Sequence, residues 1–286
     1  MSFRIDEIFA DPTPNGIVNQ RLVFTMTRIA ELTDLGSEEK QEFMNLLLLI
    51  GKKLIGTWKQ LQEYKAEEDR LTRVAKENPP IEKQAVQRVS YSLDLFLAHD
   101  LFLVQTKSTL DYLVKVPIPM LGRNVWPLRT FTGYGEGVLK ALDRNVPKKY
   151  EDKVRLIKEM IIKKHLGWLE ATIRGRDMIN HFLDGGIDFR AFLVIKILND
   201  GKEVIHVPKF PDGTTAREMM EATWLNLLML VEDFIAGCLL FRLPKKFSMF
   251  HIPSDPRTSI KTPWIVIRAE KEDEFMNKLS KKWEKF

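Results

Sequence analysis

The chain has 286 residues, of which 44% are hydrophobic and 29% are charged, and its formal net charge is +5. This composition excludes an intrinsically disordered chain, and the length is sufficient for one large hydrophobic core. The single cysteine, Cys238, excludes an internal disulfide and favours a reducing compartment. With no secretory start, we expect a cytoplasmic protein, and its basic excess favours polyanionic partners such as RNA.

Two strongly apolar runs raise the question of a membrane span. The run at 43–51 is too short to cross a bilayer, and the run at 225–241 is interrupted by Glu232 and Asp233. We therefore expect no stable membrane insertion.

Helices dominate the predicted secondary structure of the first half of the chain. A short helix is predicted over 17–33, and a long one over 36–75, where Ser37 is the expected N-cap and glutamates occupy the first turn. The prolines of "ENPPIEK" end that helix, and a second long helix is predicted from about Ile81 to Val116. A further short helix is expected over 133–143.

The second half of the chain continues this helical pattern with one interruption. A third long helix begins at "NVPKKYEDK" and ends in "RGRDMINHFLDGG", at 174–186. A fourth begins at a threonine cap in "TTAREMM" and ends before Pro244. Between them, β-branched runs flank "NDG", which predicts a β-hairpin at about 190–208.

The predicted fold class is mainly α, an up-and-down bundle of four long helices with the β-hairpin inserted between the third and fourth. We expect a single domain over 1–286, with the helical core at 38–243. Residues 244–286 form a C-terminal appendage, with a strand predicted at "WIVIRA" and a basic helical tail.

Several common catalytic motifs are missing from the sequence. It has no phosphate-binding P-loop, no dinucleotide-binding glycine motif and no serine nucleophile elbow. Glu203 and His206 have the E-x-x-H spacing of helical metal sites, but along a strand they face opposite sides. His99 is expected to be a core histidine. We therefore predict neither a metal nor a cofactor.

The end of the third helix carries the most unusual group of polar residues. Its apolar stripe recurs at steps of four, three and four residues, at Ile162, Leu166, Leu169 and Ile173. Continuing the stripe reaches Arg176 and Asn180. Burying an unpaired guanidinium is costly, so Arg176 should have an anionic partner or face a cleft.

Asp177 and His181 lie four residues apart on the adjoining face, where the carboxylate can orient the imidazole and raise its pKa. In a continuous helix, Arg176 and His181 would be offset by roughly 140°. Their joint action therefore requires the helix to end near the histidine, and the glycines of "DGG" make such an end plausible.

The segment "RDMINH" resembles the R-x(4-6)-H motif of the HEPN (higher eukaryotes and prokaryotes nucleotide-binding) superfamily, in which a polar residue commonly follows the arginine. The motif's place near the end of the third long helix also resembles that family, over about 38–243. The segment "QTKSTLDYL" on the second helix resembles a segment of bacterial members. The hairpin and residues 244–286 have no counterpart in the minimal family pattern.

The resemblance implies a metal-independent endoribonuclease that acts as a homodimer, often in a toxin–antitoxin or antiviral defence system, with an antitoxin protein as a further partner. In this interpretation His181 is the acid or base and Arg176 binds the scissile phosphate. Asp177 orients one of them, and Asn180 assists in positioning. Histidine titrates near neutrality and arginine is a planar bidentate donor, which suits attack by a ribose 2′-hydroxyl.

The third helix is also basic, with nine lysines and arginines against four acidic residues between Lys148 and Arg176. Arg174, Lys163 and Lys164 are the predicted RNA-binding residues. Two other interpretations remain open: that the motif caps the helix or makes a structural contact, and that the basic run is a solvated face. There are two alternative functions. One is a non-catalytic module that binds RNA, a nucleotide or a protein, and the other is a helical metalloenzyme.

Overall fold

The structure is a computed structural model that describes residues 10–77, 87–88, 92–180, 193–196, 203–205, 207–210, 212–251 and 265–269. The side chains of residues 87–88, 160–161, 174–180, 193–196, 203–205, 248–251 and 265–269 also lie outside the description. Most of the described residues are helical, as the sequence predicts.

The N-terminal part of the described chain forms a short helix followed by a long one. A π-helical segment, Val18–Phe24, continues directly into α1, Thr25–Glu31, and α2 follows as Ser37–Glu77. The carbonyl of Gly36 accepts from the Lys40 N–H at 2.9 Å, and the Glu39 carboxylate accepts from the Gly36 N–H at 2.8 Å. Gly36 is therefore the N-cap, and the prediction of Ser37 as the cap is wrong by one residue.

The connection after α2 differs from the sequence prediction. Residues Gln87–Arg88 form a short strand, β1, and α3 is Leu93–Leu113. The Ser92 hydroxyl accepts from the Leu95 N–H at 3.2 Å, which caps the helix there. The prediction that the second long helix begins near Ile81 is therefore wrong, because part of that segment pairs as a strand instead.

Five further α-helices follow α3 among the described residues. They are α4 (Pro117–Leu121), α5 (Glu136–Asn145), α6 (Glu151–Leu156), α7 (Lys163–Asn180) and α8 (Ala216–Leu239). A π-helical segment, Ile157–Ile162, joins α6 to α7 without a break, so the predicted third long helix is confirmed. Thr215 and Glu218 form a reciprocal capping box at the start of α8, which confirms the predicted threonine cap.

The long helix α2 packs antiparallel to both α3 and α8. Tyr64 of α2 lies edge-on to His99 of α3, with ring centroids 6.4 Å apart, and Glu67 bonds the residue that caps α3. Trp224 of α8 donates to the Leu54 carbonyl of α2 at 3.4 Å, and Arg217, earlier in α8, donates to Glu68, later in α2. Residues later in α2 meet residues earlier in α3 and α8, so both pairs are antiparallel.

The helix formed by α6 and α7 runs antiparallel to α8. Near its start, the Lys153 ammonium donates to the Leu240 carbonyl, and further along the Thr172 and Thr223 hydroxyls are 3.1 Å apart. One end of the bundle therefore holds the C-termini of α2 and α7 and the N-termini of α3 and α8. We call this the motif end.

Short strands lie beside the bundle. β2 (Leu193–Lys196) pairs antiparallel with β3 (Glu203–Ile205) on one edge and with β1 on the other. The hairpin predicted at about 190–208 stays a prediction, because residues 197–202, which would form its turn, lie outside the described part. In the C-terminal appendage, β4 (Phe247–His251) pairs antiparallel with β5 (Ile265–Ala269).

The core follows the apolar stripes of the long helices. Ile162, Leu169 and Ile173 are buried and Leu166 is half-buried, as the third-helix stripe predicts. By length and composition α8 alone among the described helices could cross a membrane, but 72% of its most apolar window is buried inside the protein. A buried core helix of a soluble protein meets the same criteria of length and composition.

Candidate functional site

The predicted catalytic residues lie at the motif end of the bundle. The backbone of α7 is helical through Asn180, while the side chains of Arg174, Arg176, Asp177 and Asn180 lie outside the described part, as does the whole of His181. The antiparallel register with α8 places the last turns of α7 level with the first turns of α8. Residues 174–180 of the sequence motif thus lie at this end of the bundle.

The predicted RNA-binding lysines lie further down the same helix. Lys163 and Lys164 are exposed, and the Lys163 ammonium contacts the two Glu159 carboxylate oxygens at 2.7 and 2.9 Å. At 1.5 Å per residue, Lys163 is roughly 16 Å from Arg174 along the helix axis. The structure therefore does not bring these lysines into the motif; they could only contact a longer strand of RNA.

The motif end also contains a buried polar cluster that the sequence analysis did not identify. Glu68 of α2 is only 5% exposed, and Arg217 of α8 donates to its Oε2 at 3.2 Å and to Asp69 at 2.8 Å. The other Glu68 oxygen, Oε1, and the Tyr64 hydroxyl are buried with no partner in hydrogen-bonding geometry among the described residues. We call Tyr64, Glu68, Asp69, Arg217 and Glu221 the end cluster.

Burial determines the electrostatics of the end cluster. It raises the pKa of Glu68, and the neighbouring Arg217 only partly opposes that rise. Burial and the nearby Glu68 together raise the pKa of Tyr64, so this phenol stays protonated. Towards solvent, Glu221 contacts Lys65 at 2.6 Å and Arg217 at 3.8 Å. Arg217 is thus shared among three carboxylates.

A sequence signal for Glu68 did exist. The buried positions in this part of α2 recur at steps of three and four residues, at Leu61, Tyr64, Glu68, Leu71 and Ala75. Glu68 therefore interrupts an apolar stripe, as Arg176 continues one on α7. The same reasoning, applied to α2, would have identified it.

Two histidines in the bundle are poorly suited to proton transfer. His99 is buried, and burial lowers its pKa to about 3. His165 is buried as well; its Nδ1 accepts from Trp168 Nε1 at 2.6 Å, and burial lowers its pKa to about 4. Both imidazoles are neutral at physiological pH, so His99 is the core histidine that the sequence predicts.

An apolar groove opens between the N-terminal segment, α2 and α8. Its volume is about 340 Å³, and it is lined by Pro14, Ile17, Arg21, Trp58, Leu61, Lys65, Glu221, Trp224, Leu225, Leu228 and Met229. The rings of Trp58 and Trp224 meet there, with centroids 4.7 Å apart at 52°. We call it the tryptophan groove.

A second apolar surface lies along α3. Four exposed aliphatic side chains recur at steps of four, four and three residues, at Leu93, Leu97, Leu101 and Val104, with exposed fractions of 59, 42, 43 and 36%. This spacing places them on one face of the helix. We call them the α3 stripe; it begins at the motif end.

Within the described part of the chain, no group of three or more histidine, cysteine, aspartate or glutamate side chains is arranged to hold a metal ion. Glu203 lies on β3, and His206, which has the E-x-x-H spacing with it, is outside the described part. No family model matches the chain, and no match was found among curated proteins or among solved structures.

Proposed function

We propose that the protein is a metal-independent endoribonuclease of the HEPN type, with its active site at the motif end. The observation that carries the proposal is the position of "RDMINH". The segment ends the third long helix of an antiparallel helical bundle, directly after the apolar stripe that Ile173 completes. Toxin–antitoxin and antiviral defence systems are the settings that this resemblance implies.

The proposed reaction is an internal transesterification of RNA. A base takes the proton of a ribose 2′-hydroxyl, whose oxygen attacks the adjacent phosphorus. The 5′-oxygen leaves with a proton from an acid, and a 2′,3′-cyclic phosphate remains. His181 serves as the acid or base, and Arg176 stabilises the charge on the phosphorane. Asp177 and Asn180 orient these two groups.

The histidines inside the bundle support the choice of His181. His99 and His165 are buried with pKa values lowered to about 3 and about 4, so neither exchanges protons readily near neutral pH. One histidine per chain does not easily fill both proton roles. A homodimer that brings two motifs together supplies the second.

The α3 stripe supports the proposed homodimer, because its first residue, Leu93, lies at the motif end. A second copy whose α3 packs parallel to this one along the stripe would bring the two motif ends near each other. We expect Leu97→Asp to give a monomer by light scattering and to reduce RNA cleavage. The matched control is Leu156→Asp, at a leucine of similar exposure (41%) on α6. Loss of activity without loss of the dimer would contradict this interface.

The decisive experiment incubates wild type, Arg176→Ala and His181→Ala with labelled RNA in EDTA. Wild type should cleave and leave cyclic phosphate ends, and each variant should lose about a hundredfold or more in rate. Arg155→Ala removes an exposed arginine from the same basic helix and should cleave like wild type. Equal activity in all four proteins, or abolition by EDTA, would reject the proposal.

A non-catalytic module that binds a protein partner is the second candidate. The α3 stripe favours it, since exposed apolar faces of this kind mark interaction surfaces. In the same experiment this function predicts no cleavage by wild type. It also predicts that Leu97→Asp loses partner binding while Arg176→Ala keeps it.

A further inference from the structure

The end of the bundle opposite the motif end carries a concentration of positive charge. Residues 144–155 and 242–246 together contain eight lysines and arginines against two acidic residues. Five of the eight are lysines, and four of these lysines are exposed. We call the five the lysine patch: Lys148, Lys149, Lys153, Lys245 and Lys246.

Packing holds the two segments of the lysine patch together. The ring of Tyr150 meets the ring of Phe241 edge-on, with centroids 5.2 Å apart, and the Lys153 ammonium donates to the Leu240 carbonyl. The ammonium groups of Lys149 and Lys153 lie over the Tyr150 ring, 4.9 and 5.4 Å from its centroid. Aromatic and backbone contacts therefore position these charges on one surface.

Neighbouring carboxylates do not neutralise the lysine patch. Burial lowers the pKa of Lys153, the nearby Asp34 opposes that fall, and Lys245 adds to it. Asp34 is itself bound by Arg242, whose Nε lies 2.7 Å from its Oδ1. Within the described part of the chain, none of the five lysines forms an ion pair with a carboxylate. The patch therefore keeps a net positive charge that an anionic partner can neutralise.

The surroundings of the lysine patch favour a phosphate backbone as that partner. Several ammonium groups on one surface suit the repeated phosphates of a nucleic acid. Stable binding to a membrane surface also calls for exposed apolar side chains that insert between the lipids. The large apolar side chains described in 147–153 and 240–247 are buried or half-buried. Exposed Lys163 and Lys164 lie between the patch and the motif end on the same continuous helix.

We propose that the lysine patch binds the backbone phosphates of single-stranded RNA and anchors the strand at a distance from the motif. The choice of RNA as the polyanion rests on the proposed function. Along the helix axis, Lys153 lies roughly 30 Å from Arg174. A strand that spans both needs on the order of ten nucleotides, at about 3.4 Å for each stacked nucleotide. The patch therefore favours long strands over short oligonucleotides.

Binding of an RNA that cannot be cleaved tests the patch separately from the reaction. The probe is a fluorescein-labelled 2′-O-methyl oligouridine of about twelve nucleotides, long enough to span the two ends. Fluorescence anisotropy measures its affinity for the full-length protein over a range of salt concentrations. The patch variant combines Lys149→Gln, Lys245→Gln and Lys246→Gln, at three exposed lysines.

The matched control variant removes the same net charge from another surface. It combines Lys52→Gln, Lys59→Gln and Lys76→Gln, at three exposed lysines of α2. The patch variant should bind the probe about tenfold more weakly than wild type. The slope of log affinity against log salt should fall by about two, since each phosphate contact to a single strand contributes about 0.7. The control variant should stay within about twofold of wild type and keep its slope.

Three results would overturn the proposal. Wild type that does not bind the probe, or equal weakening in the patch and control variants, would leave only a general effect of net charge. The third result is binding to phosphatidylcholine–phosphatidylserine vesicles that the patch variant loses while its RNA binding is unchanged, which would assign the patch to a membrane surface.

The same measurement distinguishes this inference from the proposed function. The probe has no free 2′-hydroxyl, so its binding does not depend on cleavage. Wild type that binds the probe through the lysine patch but leaves ordinary RNA intact would reject the ribonuclease proposal and support the patch as an RNA-binding surface.

Discussion

Two buried glutamate–arginine pairs in this protein differ in how far solvent and other groups can reach them. Glu232, in the middle of α8, pairs with Arg21 of the π-helical segment, and both are 3% exposed or less. The guanidinium binds both carboxylate oxygens, with Nε to Oε1 at 2.8 Å. In the end cluster, Glu68 is buried like Glu232, but Arg217 is 32% exposed and contacts three carboxylates.

The difference shows what burial demands of an ion pair. In the sealed pair both charges are buried, so water does not replace either group when the other is removed. Even so, burial raises the pKa of Glu232 to about 7, and Arg21 opposes that rise without cancelling it. In the end cluster, Arg217 can exchange partners at the surface. The sealed pair therefore serves the fold, and the open cluster is the one able to respond to a ligand.

The largest expected effect comes from breaking the sealed pair. Arg21→Ala should lower the free energy of unfolding by about 3–5 kcal/mol, because it leaves the Glu232 carboxyl buried without its partner. Urea denaturation measures this loss. The control is Arg21→Met with Glu232→Leu, which removes both charges and should recover most of the stability. Exposed ion pairs contribute about 0–1 kcal/mol to stability. A loss in that range for the single variant would therefore show that the pair is not sealed from solvent.

The pH dependence of unfolding offers a second test of the sealed pair. The pKa of Glu232 in the folded chain, about 7, lies above the ordinary value of 4.5. Its contribution to stability is therefore complete below pH 4.5 and is lost as the pH rises through 7. Glu232→Gln has no carboxyl group to titrate, so its free energy of unfolding should not fall in this way. The difference in unfolding free energy between wild type and Glu232→Gln should therefore shrink between roughly pH 5 and 7. A constant deficit across that range would contradict the raised pKa.

The open cluster should tolerate the equivalent change better. Arg217→Ala is expected to lower the free energy of unfolding by about 1–3 kcal/mol, since Arg217 is partly exposed and water can replace part of its contact with Glu68. The exposed Arg155→Ala is the control and should have almost no effect. If Arg217→Ala cost as much as Arg21→Ala in urea denaturation, the contrast between the two pairs would fail.

Local signals predicted much of this fold. The capping box of Thr215 and Glu218 was visible in the sequence because its partners lie within one helical turn. The predicted helix start near Ile81 was wrong because Gln87 pairs with Val194, a contact between distant parts of the chain. Such long-range pairing leaves no periodicity in a short segment. The error thus reflects tertiary structure that overrides local preference.

The candidate site shows the same division between local and distant contacts. The spacing of Arg176 and His181 is a local pattern, and the sequence provided it. Glu232 was noted as an interruption of an apolar run, but its partner Arg21 lies 211 residues away and carries no matching motif. Glu68 was missed although it interrupts a helical stripe. A charged residue within an apolar stripe therefore indicates a partner of opposite charge elsewhere in the chain.

The smallest expected effect tests whether the end cluster shares its partners. Asp69 is 61% exposed and accepts from Arg217 at 2.8 Å, so Asp69→Asn should cost about 0.5 kcal/mol or less. Arg217 would keep Glu68 and Glu221. A double-mutant cycle with Arg217→Ala measures the coupling between the two residues in urea. Coupling close to the whole cost of Arg217→Ala would show that Asp69 is the principal partner, and the cluster would then be a single surface ion pair beside a buried acid.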